Sequence, residues 1–209
     1  MNVTHQILKA AEELFFRYGV KSVTMDNIAN HLGMSKRTIY ENYPTKDIIV
    51  QELLMVHRNK IIYGIETYRQ KSKDAIEEII LNMHHLKDLS DIMNARLLLE
   101  LKKFHPKAWS EHQRFKHTIL IHYTSDNLKR GIMQGIYRKD IDIDILSRLS
   151  IEQIELTWNP EIFPNTRQDI IRIQLVILYH FMHGIVNIKG YTLIEKYMKS
   201  NSFPALLQR

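Results

Sequence analysis

The chain is expected to be all-α: a small N-terminal three-helix unit followed by a larger helical bundle. Apolar residues return at helical spacing (i, i+3, i+4) along most of its 209 residues, with few strand-like alternations. Glycine and proline are sparse, at 7 and 5 residues, and most fall between the periodic stretches. No repeat and no low-complexity linker breaks the pattern, so the elements read as helices packed on helices.

The first helix is expected from about Thr4 to Arg17. Ile7, Ala10, Ala11, Leu14 and Phe15 make its apolar face, and Tyr18-Gly19 ends it. The stretch Thr24 to Lys46, TMDNIANHLGMSKRTIYENYPTK, then reads as two short helices around a tight turn. Ile28, Ala29 and Leu32 form a narrow apolar stripe on the first. Thr24 is placed to cap it, and Asp26 lies in the first turn, where the helix dipole favours a negative charge. Gly33 follows Leu32 where a helix end wants a residue tolerant of positive φ. Ser35 is placed to cap a second helix through Asn42, in which Ile39 is the single aliphatic residue and should point inward. Lys36, Arg37, Thr38, Tyr40 and Asn42 are left facing outward. Two helices joined by three or four residues containing glycine form a helix-turn-helix, whose second helix enters the DNA major groove. An ordinary helical hairpin with a polar second helix would share the spacing.

A long helix is expected from Lys46 to about Gln70. Others follow at about Lys73–Leu89, Asp91–Phe104, Lys107–Gln134, Asp144–Leu156 and Arg167–Ile188, with a short one at Leu193–Lys199. Breaks are expected at His105-Pro106, Gly135 to Asp142, Asn159 to Pro164 and Gly190, and Ser200–Arg209 reads as a loose tail. These elements divide into residues 1–48 and 49–209.

The formal net charge of +6 agrees with a nucleic-acid partner. The first 50 residues hold six basic groups and five acidic ones, so the helpful charge is local, at Lys36, Arg37 and Lys46. The absence of cysteine excludes disulfides, thiolate metal sites and a thiol nucleophile, and is compatible with a cytoplasmic location. MNVTHQILKAAEELFF does not read as a signal peptide. The most apolar stretch, Leu175 to Ile188, is interrupted by His180, His183, Gly184 and Asn187 and is too short to span a bilayer, so no membrane partner is expected.

Other chemistry is thin. His180 and His183 share a helix face and His84-His85 are adjacent, but no carboxylate completes a metal-binding motif, and histidines in so apolar a helix read as core or interface residues. Glu152 and Glu155 could pair on one helix, and exposure explains them equally. There is no Gly-rich phosphate loop and no nucleophile elbow, so no catalytic residue, no cofactor and no metal are assigned.

The flanks of the helix-turn-helix add to its reading. Ile7–Phe15, Gly19, Thr24, Ile28-Ala29, Leu32-Gly33-Met34-Ser35, Thr38-Ile39-Tyr40, Tyr43 and Lys46 together resemble the TetR family of bacterial transcriptional regulators. The resemblance covers roughly the first 50 residues; Tyr43 departs mildly, since the family more often has phenylalanine there. Gly131-Ile-Met-Gln-Gly135-Ile-Tyr-Arg138, followed by Asp140 and Asp142, resembles a recurring family turn after a long helix. The family plan implies a DNA-binding first domain and a second that binds ligand and dimerises.

Carried over by motif position, Lys36, Arg37 and Thr38 are placed for base edges, and lysine or arginine can meet guanine O6 and N7. Tyr40 and Asn42 suit the groove wall or the backbone. Thr24, Ser35, Tyr43 and Lys46 suit phosphates. The resemblance implies a ligand pocket, for which His84, Trp109, Tyr123 and Trp158 are the candidate lining, although each taken singly reads more readily as an ordinary core residue. Ile170, Ile173, Ile177 and Phe181 recur along one face of a late helix and are the candidate dimer seam. The implied protein is a homodimeric repressor, released from a palindromic double-stranded DNA operator by a small-molecule effector. The alternatives are a ligand-independent DNA-binding regulator, or a helical enzyme or metal-binding module.

Overall fold

The computed structural model describes residues 2–89, 95–164 and 167–200. Among the described residues eleven α-helices run in chain order: α1 Val3–Tyr18, α2 Met25–Leu32, α3 Lys36–Asn42, α4 Lys46–Lys71, α5 Ala75–Leu89, α6 Ala95–Phe104, α7 Pro106–Phe115, α8 Ile121–Met133, α9 Ile143–Leu156, α10 Arg167–Ile185 and α11 Ile188–Lys199. There is no β-strand among the described residues, only an isolated bridge between Tyr137 and Val186. The expected start at Asp91 and most of the expected tail lie outside the described residues. The run expected as one helix from Lys107 is helical throughout, but a π-helical turn at Lys116–Leu120 separates α7 from α8. No helix among the described residues is long and apolar enough to cross a membrane.

The chain forms two compact units, Met1–Lys60 with Asp91–Gln113, and Ile61–Ser90 with Arg114–Arg209. In the first, Ile7, Ala11, Ile28, Ile39, Tyr43 and Ile49 share one core with Leu101 of α6 and Ala108 of α7. Three short helices alone enclose little apolar volume, and the later segment enlarges what they bury. Polar contacts fasten it: the Lys21 amide donates to Glu100 at 2.9 Å, and His105 Nδ1 lies 2.6 Å from Asp47 Oδ1.

In the second unit Ile76, Ile80, Met83, Leu128, Tyr137, Leu175, Met182 and Ile194 form the core. The chain turns out of α8 at Gly135, with φ 67°, while the amides of Ile136 and Tyr137 both donate to the Gly131 carbonyl at 3.1 Å. Tyr137 folds back so that its ring occupies the space a Cβ on Gly131 would need, and its hydroxyl donates to Asn127 at 3.1 Å. Gly190 is a correction to the expected break: it lies inside α11, where a Cβ would come within 2.2 Å of the Ile136 carbonyl oxygen. Its lack of a side chain serves close approach rather than a turn.

Buried charge in this unit is matched. Arg130 meets Glu78 and donates to Ser72 Oγ at 3.0 Å; burial pushes the Glu78 carboxyl above its usual range while the Arg130 charge opposes the shift. The Lys116 ammonium, buried at the π-helical turn, is held by Glu152 at 3.0 Å and Glu155 at 2.5 Å. That accounts for the carboxylate pair on α9 without any catalytic chemistry.

Candidate nucleic-acid interface

The interface is built by capping. Thr24 begins α2 with its side chain accepting from the Asn27 amide at 3.1 Å, while Asn27 Oδ1 accepts from the Thr24 amide at 2.8 Å. This reciprocal box satisfies donors a helix start otherwise leaves free. Gly33 ends α2 in the left-handed region at φ 62°, and the Met34 amide donates to Ala29 at 3.0 Å. Ser35 starts α3, accepting from the Thr38 amide at 3.1 Å, with the two hydroxyls 2.8 Å apart. Thr24 and Ser35 are therefore occupied as caps in this structure.

Ile39 is fully buried and orients α3. Lys36, Arg37 and Tyr40 face outward, with Tyr40 48% exposed. Thr38 is half-buried beside Ser35, and Asn42 is exposed yet spanned, accepting from Thr4 Oγ1 at 3.2 Å and donating to the Thr38 carbonyl at 2.8 Å. Lys36 Nζ lies 2.5 Å from Asp26 Oδ2 on α2, and Arg37 Nε lies 2.7 Å from Glu41 Oε1 one turn along α3. Asp26 raises the Lys36 pKa, first by its hydrogen bond and then by its charge.

Two phosphate assignments are corrected. Tyr43 is 1% exposed and packs in the first unit's core, where burial and the nearby Glu52 push its hydroxyl pKa upward; a sealed hydroxyl cannot reach a phosphate. Lys46 turns inward, its ammonium donating to the carbonyls of Val20 at 2.8 Å and Val23 at 3.0 Å. It ties the start of α4 to the α1–α2 connection. The carboxylates at Asp26 and Glu41 were missing from the expected site. Glu41 was detectable as the i+4 partner of Arg37, whereas Asp26 and Lys36 are ten residues apart and meet only across the folded turn.

The ligand-lining candidates are not gathered in one unit. Trp109 packs against the first unit's core beside His112, whereas His84, Tyr123 and Trp158 belong to the second unit. Tyr123 donates to Glu66 at 2.7 Å, His84 is exposed and Trp158 is half-buried. Of the dimer candidates, Ile170 is buried, Phe181 packs on the second unit's core, and Ile173 and Ile177 are half-exposed. The His183 ring packs on Tyr179, centroids 4.2 Å apart, and edge-on to Tyr191, which gives it a packing role.

Comparison with known proteins agrees with this geometry. The family model for bacterial regulatory proteins of the tetR family matches residues 7–53. The HTH-type transcriptional regulator YvaF of Bacillus subtilis (strain 168) is 35% identical over 91 residues, covering 42% of this chain and 47% of its own length, so the chain spans about half of that relative. The HTH-type transcriptional repressor KstR2 of Mycolicibacterium smegmatis is 23% identical over 164 residues, covering 68% of this chain and 71% of its own. Among solved structures, SmeT in complex with triclosan superposes with a TM-score of 0.68 at 17% identity, covering 90% of this chain and 93% of that one; SmeT is the repressor of a Stenotrophomonas maltophilia multidrug efflux pump. That likeness is one of fold. Residues 7–53 thus match the TetR family of bacterial transcriptional regulators, and the described residues share the all-helical fold of such solved structures.

Proposed function

We propose that this protein is a homodimeric repressor that reads a palindromic operator through α3 and leaves it when a small molecule binds the second unit. The observation that carries the reading is the disposition of α3. Ile39 anchors it, caps on either side of Gly33 fix its start, and Lys36, Arg37 and Tyr40 are presented outward together. Arg37 suits bidentate pairing with guanine O6 and N7, Lys36 suits a base edge or phosphate, and Tyr40 suits the groove wall. Thr24, Ser35 and Asn42 are exposed, and a capping hydroxyl can still present its helix start to a phosphate.

A reading helix of seven residues offers few base contacts, so specificity calls for two copies. Related by a two-fold axis, they would address half-sites about 34–36 Å apart or a multiple of that. Support for a seam on α9 and α10 comes from apolar side chains left exposed there: Ile145, Leu149 and Leu156 on α9, with half-exposed Ile173 and Ile177 on α10. Support for an effector comes from SmeT, a repressor of this fold seen with triclosan. The effector would shift DNA affinity only by binding the two states unequally. A cytoplasmic location follows from this function.

The test is selection of genomic fragments by purified protein at about 150 mM salt, where sequence-independent phosphate contacts are weakened. The expected result is a palindrome recovered by the wild type and lost in a Lys36→Ala, Tyr40→Ala double variant. Uniform retention of all fragments, or of none, refutes the reading.

A further inference from the structure

The two cations on the outward face of α3 do not stand alone. Lys36 is paired with Asp26 at 2.5 Å and Arg37 with Glu41 at 2.7 Å, so these four side chains sum to no net charge. All four are well exposed, with side-chain exposures of 64% and 45% in the first pair and 87% and 58% in the second. The pairs therefore open readily to a better partner. The Arg37–Glu41 pair is poorly explained as a helix stabiliser, because α3 carries Lys36 and Arg37 in its first turn and Glu41 in its last, against the helix dipole; Asp26 gains from the dipole of α2 whether or not it meets Lys36. The order arginine then glutamate at i, i+4 is also the less favourable one.

We infer that Asp26 and Glu41 are specificity-determining residues of the DNA interface, neutralising the reading helix toward generic phosphate so that binding depends on base contacts. This rests on the repressor reading above. Sequence-independent affinity grows with the number of cations free to displace counterions from the duplex. A cation held by a carboxylate, with that carboxylate itself repelling phosphate, adds little to this attraction. At the operator, guanine O6 and N7 offer Arg37 two neutral acceptors in a fixed geometry. The carboxylates thus lower binding to random duplex more than binding to the operator.

The experiment uses the full chain and four variants: Asp26→Asn, Glu41→Gln, the double variant, and Asp26→Glu, which restores a carboxylate. Each is titrated over a salt series against the selected operator and against a scrambled duplex of equal length, with thermal melting alongside. Each neutralising substitution is expected to tighten scrambled-duplex binding by roughly two- to fivefold, the scale of an exposed ion pair. It should steepen the log–log salt dependence by about 0.9 per freed cation. Operator affinity should change less, so the ratio of operator to scrambled binding falls, and Asp26→Glu keeps the wild-type ratio. Unchanged scrambled binding and slope would overturn the inference. So would parallel weakening on both duplexes with a lowered melting temperature, which marks a structural role. Wild-type protein that retains neither duplex refutes the repressor reading itself, and this inference with it.

Discussion

Replacing Lys46 by methionine removes the ammonium and keeps most of the apolar stem, which isolates the two hydrogen bonds to Val20 and Val23 at 2.8 and 3.0 Å. Both carbonyls belong to residues buried in the first unit's core. Hydrogen bonds from a charged donor contribute about 1.5–3 kcal/mol each. Lys46 is half-buried, so water takes over part of the task in the variant, and the expected loss is about 2–3 kcal/mol for the pair. For a chain of this size that corresponds to a melting temperature lower by roughly 4–12 °C. The ammonium is spent inside the protein, so the salt dependence of operator binding should stay at the wild-type slope. Circular-dichroism melts and fluorescence-anisotropy titrations from about 50 to 200 mM salt measure both quantities. A melting temperature within about 1 °C of wild type, together with a slope shallower by about 0.9, would refute the internal role and return Lys46 to the phosphate backbone.

Three further outcomes are expected. Gly190→Ala gains about 1 kcal/mol of helix preference, but its Cβ would meet the Ile136 carbonyl, an acceptor from the Asn187 amide at 3.1 Å; the displacement should dominate, with a net loss of about 2–3 kcal/mol by urea unfolding. Tyr43→Phe should leave operator affinity and its salt dependence unchanged in the same titrations, because the hydroxyl is sealed in the core. His57, buried on α4, has its pKa lowered to about 4, by burial first and the Lys60 charge second. The unfolded histidine titrates near 6.5, so below about pH 6.5 the unfolded chain takes up a proton that the folded chain refuses, and stability falls until about pH 4. The urea midpoint should decline by the equivalent of about 1–2 kcal/mol between about pH 7 and pH 5, and His57→Gln should flatten that decline.

Features set by neighbours along the chain are legible in the residues themselves. The Thr24 and Ser35 caps, the left-handed Gly33 and the inward Ile39 depend on contacts within four residues, and each appears as expected. Most helix limits agree within a few residues for the same reason, as at α4, expected from Lys46 to about Gln70 and found over Lys46–Lys71, whereas α11 begins at Ile188 rather than at Leu193. The turn from Gly131 to Arg138 is recognisable by motif, although why Gly131 must lack a side chain is not. The answer is the Tyr137 ring returning over it.

What local sequence determined, then, was the kind and order of the helices and the outward presentation of Lys36, Arg37 and Tyr40. Only the tertiary structure decided how polar and small residues are used. Tyr43 and Lys46 have side chains as suited to phosphate as to packing, and the enclosing helices turned both inward. Gly190 reads as a helix breaker until the Ile136 carbonyl is set against it. Leu101 and Ala108 carry no mark of belonging with residues from the first third of the chain. Asp26 and Lys36 meet because Gly33 reverses the chain between them. Helix formation depends on bonds between residues a turn apart, which periodicity records. The partner of a long flexible side chain is set by whatever surface the fold brings within its reach, and no spacing along the chain encodes that.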